Sequence, residues 1–172
     1  MERLNIGVNE DTRKSVTDIL NKLLASEHVL YIKIRNYHWN VVGPQFHSLH
    51  ELFEAQYTAL QESIDELAER IRVLGYNAVG TMAEFIQLSD IKEDAPGVFP
   101  PAGEMVANAL DGHEVTIRDL REAIDTVGDD CNDQGTADFL TAKMEEHEKM
   151  AWMLRAFLAG PSTEKSGPST AK

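Results

Sequence analysis

Four stretches of this chain repeat apolar residues at every third or fourth position, and one long gap divides them two and two. In the first, over about 9–40, Val16, Leu20, Leu23, Leu24, Leu30, Tyr31, Ile34 and Tyr37 fall on or near one face. In the second, over about 46–74, the stripe is Leu49, Phe53, Leu60, Ile64, Leu67, Ile71 and Leu74. The third, over about 102–127, carries Val106, Leu110, His113, Ile117, Leu120 and Ile124. The fourth, over about 136–158, carries Leu140, Met144, His147, Ala151, Leu154 and Leu158. A helix with a single apolar stripe must bury it against other helices, so four of them predict an all-α bundle. No strand-like alternation competes.

The gap then decides the topology. About 27 residues separate the second segment from the third, enough to cross the length of the bundle. A crossover lets those two helices run parallel, as in a ferritin-like four-helix bundle rather than an up-down-up-down one. Unstructured links this long are uncommon, so a short helix is expected inside it. Thr81 with Glu84 three residues on predicts its capping box. Asn9 followed by Glu10 and Asp11 predicts the start of the first helix, and Gly75 the end of the second. Residues 128–135 read as a polar, acidic junction. Residues 1–160 are expected to form one domain, and 161–172, rich in Ser, Thr, Gly, Pro and Lys, a disordered C-terminal tail.

Charge narrows the function classes. Lys and Arg number 16 against 29 Asp and Glu, a net charge of −13. Such a surface repels polyanions and suits cations. The single cysteine, Cys131, allows no intrachain disulfide and fits a reducing compartment. Met1–Arg13 has no apolar core of a secretory leader, and no apolar run is long enough to span a bilayer. A cytoplasmic protein with no membrane association is expected.

The six histidines are His28, His38, His47, His50, His113 and His147. Three residues before them stand Ala25, Arg35, Pro44, His47, Leu110 and Met144, so the Glu-x-x-His motif of intra-bundle di-iron sites is absent. His50, Glu54, Asp65 and Glu69, however, fall within an arc of roughly 100° on the second helix. His50 and Asp65 are about 22 Å apart along the axis, too far to share a metal within one helix. Two copies packed antiparallel about a two-fold axis would bring His50 and Glu54 of one to Asp65 and Glu69 of the other. The axis would pass between Ala59 and Leu60, small or apolar residues suited to close contact. His38, ending the first helix, is placed to complete each site. Two imidazoles and up to three carboxylates suit Fe(II), with Mn(II), Co(II) and Zn(II) as competitors.

These residues carry a resemblance. Tyr37-His38-Trp39-Asn40-Val41, then Phe46-His47-Ser48-Leu49-His50-Glu51, then Asp65-Glu66-Leu67-Ala68-Glu69-Arg70 resemble the signature of the Dps mini-ferritins, over about residues 5–158. The steps from His38 to His50, Asp65 and Glu69 match that family's ferroxidase pattern, with Glu54 where many members have Asp. The resemblance implies a shell of twelve subunits with two-fold ferroxidase sites, oxidation of Fe(II) preferably by hydrogen peroxide, storage of ferric mineral and protection against oxidative stress. Zinc would be able to substitute for iron. The resemblance also implies acidic three-fold pores near the last two helices, for which Asp129, Asp130, Asp133 and Asp138 are candidates and Asp133 and Asp138 are favoured.

Plainer readings stand beside these. The acidic face of the second helix reads equally, without the resemblance, as a solvated surface with a chance histidine. His47 reads as a surface residue. His113 and His147 lie on apolar stripes and read as hydrogen-bonded core or boundary residues. His28 receives no role. Trp39 reads as packing, or as an electron donor beside the metal. A nucleoid-associated, DNA-protecting protein is the alternative function, but a neutral N-terminus, a barely basic tail and the net charge predict weak or absent DNA binding. A helical scaffold without redox activity is the third.

Overall fold

A computed structural model describes residues 4–159; the tail expected at 161–172 lies outside them. All regular structure among the described residues is helical: α1 (Glu10–Asn40), α2 (Phe46–Val73), α3 (Met82–Leu88), α4 (Ala102–Asp125) and α5 (Gln134–Leu158), with a π-helical turn over Thr126–Asp130. The predicted caps form. The Asn9 side chain accepts from the Thr12 amide at 2.9 Å. Thr81 and Glu84 form a reciprocal capping box at the start of α3, which sits within the crossover. Gly75 takes φ 91°, where a side chain would be strained, and closes α2.

The apolar residues separate into two clusters, one at each end of the bundle, and their membership gives the helix directions. One end holds Val16 and Leu20 from α1, Leu67 and Ile71 from α2, Leu120 from α4 and Leu140 from α5. The other holds Ile34 and Tyr37 from α1, Leu49 and Phe53 from α2, Met105 and Val106 from α4 and Leu154 from α5. The start of α1 therefore meets the end of α2, while α4 begins where α2 begins. So α2 and α4 run parallel, and α1 and α5 run against them. That is the ferritin-like connection. At Gly112, α4 comes so close to α1 that an added Cβ would collide with Leu30 Cδ1.

Two expectations need correction. The acidic junction is largely helical, because α4 continues through the π-helical turn and α5 begins at Gln134, two residues before Thr136. The cause is Asp133, whose carboxylate accepts from the Thr136 amide at 3.1 Å and from its hydroxyl at 2.6 Å, capping the helix early. Leu60 is fully buried in its own bundle and cannot form a contact with a second copy. Thr58 and Gln61, both exposed, occupy the middle of the outward face of α2 instead.

Candidate metal centre

The end of α1 and the start of α2 are joined by a tight link through Gly43 and Pro44, which brings His38 and His50 together. Their rings stack with centroids 3.8 Å apart and planes 18° from parallel. The backbone orients each ring. His38 Nδ1 lies 2.9 Å from the carbonyl oxygen of His50, and His50 Nδ1 lies 2.9 Å from the carbonyl oxygen of His38. A carbonyl only accepts, so each Nδ1 is the donor. In the neutral imidazole this leaves the lone pair on Nε2, the atom that binds a metal. A ligating histidine held through its other nitrogen is the usual arrangement of metal sites. The aromatic neighbours fix the pair further: Tyr57 meets His38 edge-on at 5.2 Å, and Phe46 stacks on His50 at 5.1 Å.

The carboxylates lie farther along α2. Glu54, Asp65 and Glu69 are all exposed, and none of them is in a hydrogen bond or ion pair with another described residue. Their neighbours behave otherwise. Glu66 pairs with Lys143, and Arg70 donates to Thr136 Oγ1 through Nε at 3.0 Å and Nη2 at 2.7 Å. Arg70 thereby ties the end of α2, next to Glu69, to the start of α5. Among the described residues, no three His, Cys, Asp or Glu side chains of one protomer converge tightly enough to hold a metal ion. The structure thus unites His38 with His50 and leaves Asp65 and Glu69 on the same exposed helix, about 22 Å away.

The remaining candidates divide. His47 is exposed and 3.6 Å from Glu51. His28 stacks on Phe85 at 3.8 Å, where burial pushes its pKa down. Trp39 is exposed, with the Arg35 guanidinium 5.1 Å from its ring. The cleft between α1 and residues 93–99 is lined by Arg35 and Trp39 but by none of the five proposed donors. Asp133 is buried, engaged by Thr136 and 3.5 Å from Arg70, whereas Asp129, Asp130 and Asp138 are exposed.

Sequence reasoning passed over Glu27, which is fully buried and 3.4 Å from His147 Nε2. The signal was present: Glu27 continues the α1 stripe between Leu23 and Leu30, a charged residue at a core position. His113 and His147 are fully buried and hydrogen-bonded to each other, as their stripes predicted.

Comparison with known proteins follows the same lines. A family model described as a ferritin-like domain matches residues 17–161. An uncharacterised low temperature-induced protein of Nostoc sp. is 50% identical over 99% of this chain and 95% of its own length. The DNA protection during starvation protein 2 of Bacillus anthracis is 42% identical over 84% of this chain and 97% of its own length. Among solved structures, a Dps protein from Vibrio cholerae O1 superposes with a TM-score of 0.84, at 32% identity over 92% of this chain and 98% of that one. It is described as a member of a broad superfamily of ferritin-like diiron-carboxylate proteins.

Proposed function

This chain belongs to the Dps family of ferritin-like proteins, and from that premise we propose that it oxidises Fe(II) and stores the ferric product. The sites are shared between protomers. His38, His50 and Glu54 of one copy meet Asp65 and Glu69 of a second across a two-fold axis at the middle of α2. The observation that carries this reading is the pair of imidazoles with Nδ1 committed to backbone and Nε2 left as donor, on a helix whose free carboxylates recur one half-site away.

The donor set fits iron as a substrate. Imidazole nitrogen suits Fe(II), and hard carboxylate oxygens favour Fe(III) once an electron has left. Hydrogen peroxide is the proposed oxidant: two Fe(II) each give one electron, and peroxide with two protons becomes two waters. Taking both electrons at one site keeps hydroxyl radical from being released. The stacked rings and the backbone bonds hold the nitrogens still, while the unengaged carboxylates adjust as iron changes charge. Zn(II) competes for the same donors without redox chemistry.

The assembly is proposed to be a cytoplasmic shell of twelve subunits, with the ferric mineral inside. Cations enter by acidic pores, with exposed Asp138 on the wall and Asp129 and Asp130 nearby. Asp133 positions the start of α5 beneath them. No helix among the described residues is long and apolar enough to cross a membrane.

The test is rapid mixing. Apo-protein is loaded with Fe(II) anaerobically, peroxide is added, and ferric absorbance is followed. The parent oxidises iron in a fast, saturable phase, and His38→Ala with Asp65→Ala falls to the rate of free iron. Equal rates in both proteins overturn the assignment. DNA protection is the second reading, since the Bacillus anthracis relative is named for it. With −13 per chain, no gel shift is expected at physiological salt; a shift there would favour that reading.

A further inference from the structure

The crossover is fastened to the bundle just after α3, where Ser89, Asp90 and Ile91 lie against α1. The Asp90 amide donates to Ser26 Oγ at 3.1 Å, and Ser26 is fully buried on α1. Ile91 enters the apolar cluster at that end of the bundle, and its amide donates to Ser89 Oγ at 3.0 Å. One turn before Ser26, Lys22 sets its ammonium 2.6 Å from Asp90 Oδ2. From α4 comes Asp119, which lines the groove between α1 and α4 together with Lys22 and Glu122. Its Oδ2 is enclosed, and among the described residues no donor reaches it. What stands within hydrogen-bond reach is the Asp90 carboxylate, an acceptor like itself.

Two carboxylates in contact do not both ionise without cost, and a proton between them turns the repulsion into a strong hydrogen bond. The surroundings decide which of the two carries it. Asp90 has the Lys22 ammonium on one oxygen, which favours its charged form. Asp119 forms no ion pair within the described residues and has an oxygen shut away from water, which favours its neutral form. Burial pushes its pKa up, and the Asp90 charge, the hydrogen bond to Asp90 and the Glu122 charge act in the same direction; only Lys22 opposes them. These groups are the charges facing Asp119 from α1, the crossover and α4. A protonated Asp119 donates to Asp90 and satisfies the enclosed oxygen. Asp90 is then held by α1 through Ser26 and Lys22, and by α4 through Asp119.

We propose that Asp90 and Asp119 share one proton and form a pH-sensitive latch between the crossover and α4, closed while Asp119 carries the proton and weakened when both carboxylates are charged. The sign follows from linkage. With the folded value above the unfolded one, the folded chain keeps a proton that the unfolded chain has released. The latch therefore contributes fully on the acid side and is lost as pH rises through the folded value of Asp119.

Hydrogen–deuterium exchange of the assembled full-length protein tests this, read on the peptide spanning residues 89–91 and corrected for the intrinsic rate at each pH. From about pH 5 to about pH 8, a window that starts above the ordinary aspartate value, protection in the parent is expected to fall roughly three- to tenfold. Asp119→Asn puts a permanent amide donor in place of the shared proton, and its protection is expected to stay level across the window. His28, stacked on Phe85 of α3, also titrates near the crossover, but its effect persists in Asp119→Asn. An equal pH dependence in parent and Asp119→Asn therefore overturns the proposal, and so does a parent whose protection does not change. Should Asp119→Asn fail to assemble, Asp90→Asn decides: it leaves Asp119 without a second carboxylate, and its protection is expected to be as level.

Discussion

The two histidine pairs of this bundle use the same side chain in opposite ways. His38 and His50 lie at the end of the α1–α2 hairpin, stacked ring on ring, each with Nδ1 on the other's backbone carbonyl. His113 and His147 lie in the middle of the core and bond to each other, ring to ring, with Glu27 beside them. The first pair is satisfied by main chain and presents its remaining nitrogens outward. The second is unsatisfied and enclosed. A histidine whose second nitrogen is held by backbone is ready for a ligand arriving from outside, here from another copy. A histidine buried against a carboxylate inside one bundle is enclosed with its neighbours and meets no ligand from outside.

The strongest way to break this contrast is subunit mixing. His38→Ala/His50→Ala chains and Asp65→Ala/Glu69→Ala chains are each expected to lose fast iron oxidation. Co-assembled from equal amounts, they regain about a quarter of the parental sites, because half of the dimers are mixed and each mixed dimer has one intact site of two. Stopped-flow oxidation of the mixture measures this; no recovery would place the whole site within one chain. Next in size is the effect on stability. His147→Ala leaves Glu27 buried without its neighbour and is expected to cost about 3–5 kcal/mol, whereas His50→Ala, at the partly exposed pair, costs no more than about 1.5 kcal/mol. Chemical denaturation of both variants compares them directly.

The close packing of α4 on α1 gives a smaller effect. Gly112→Ala drives a methyl into Leu30 and is expected to cost about 1–3 kcal/mol, seen as a lower Tm with assembly intact. Smallest is the surface cap of α3. Thr81→Ala is expected to cost about 1 kcal/mol. Its partner Glu84 titrates below the ordinary carboxylate value because the Thr81 side chain and the Gly80 and Thr81 amides bond its charged form. The unfolded chain therefore takes up that proton first. The contribution is complete above the unfolded value and is lost as pH falls through the folded one, so Glu84→Gln should flatten the acid side of the Tm profile.

Most of the architecture was legible because helices declare themselves locally. The stripes, the Asn9 and Thr81 caps and the Gly75 stop depend on residues within a turn or two of each other, and they formed where expected. The start of α5 was misplaced because the polar run 128–135 looks like a loop until Asp133 is seen capping Thr136. Leu60 was assigned to an outer surface because arithmetic on the ligand positions locates an axis along a helix but not which side chains face it. Glu27 was overlooked because a glutamate on a helix is ordinarily solvated, and only the tertiary structure encloses it, with His147 of α5 beside it.

The amino-acid order by itself determined the helices, their two-and-two division by a crossover, and the single outward face that carries His50, Glu54, Asp65 and Glu69, since periodicity and spacing are properties of one helix. Tertiary structure alone decided which nitrogen of each histidine is free and which charges are denied water. Those depend on groups from separate helices: a carbonyl 12 residues away, or an imidazole 34 residues away. The physical reason is that hydrogen-bond direction and desolvation act through space over a few ångströms, and no interval along the chain specifies them.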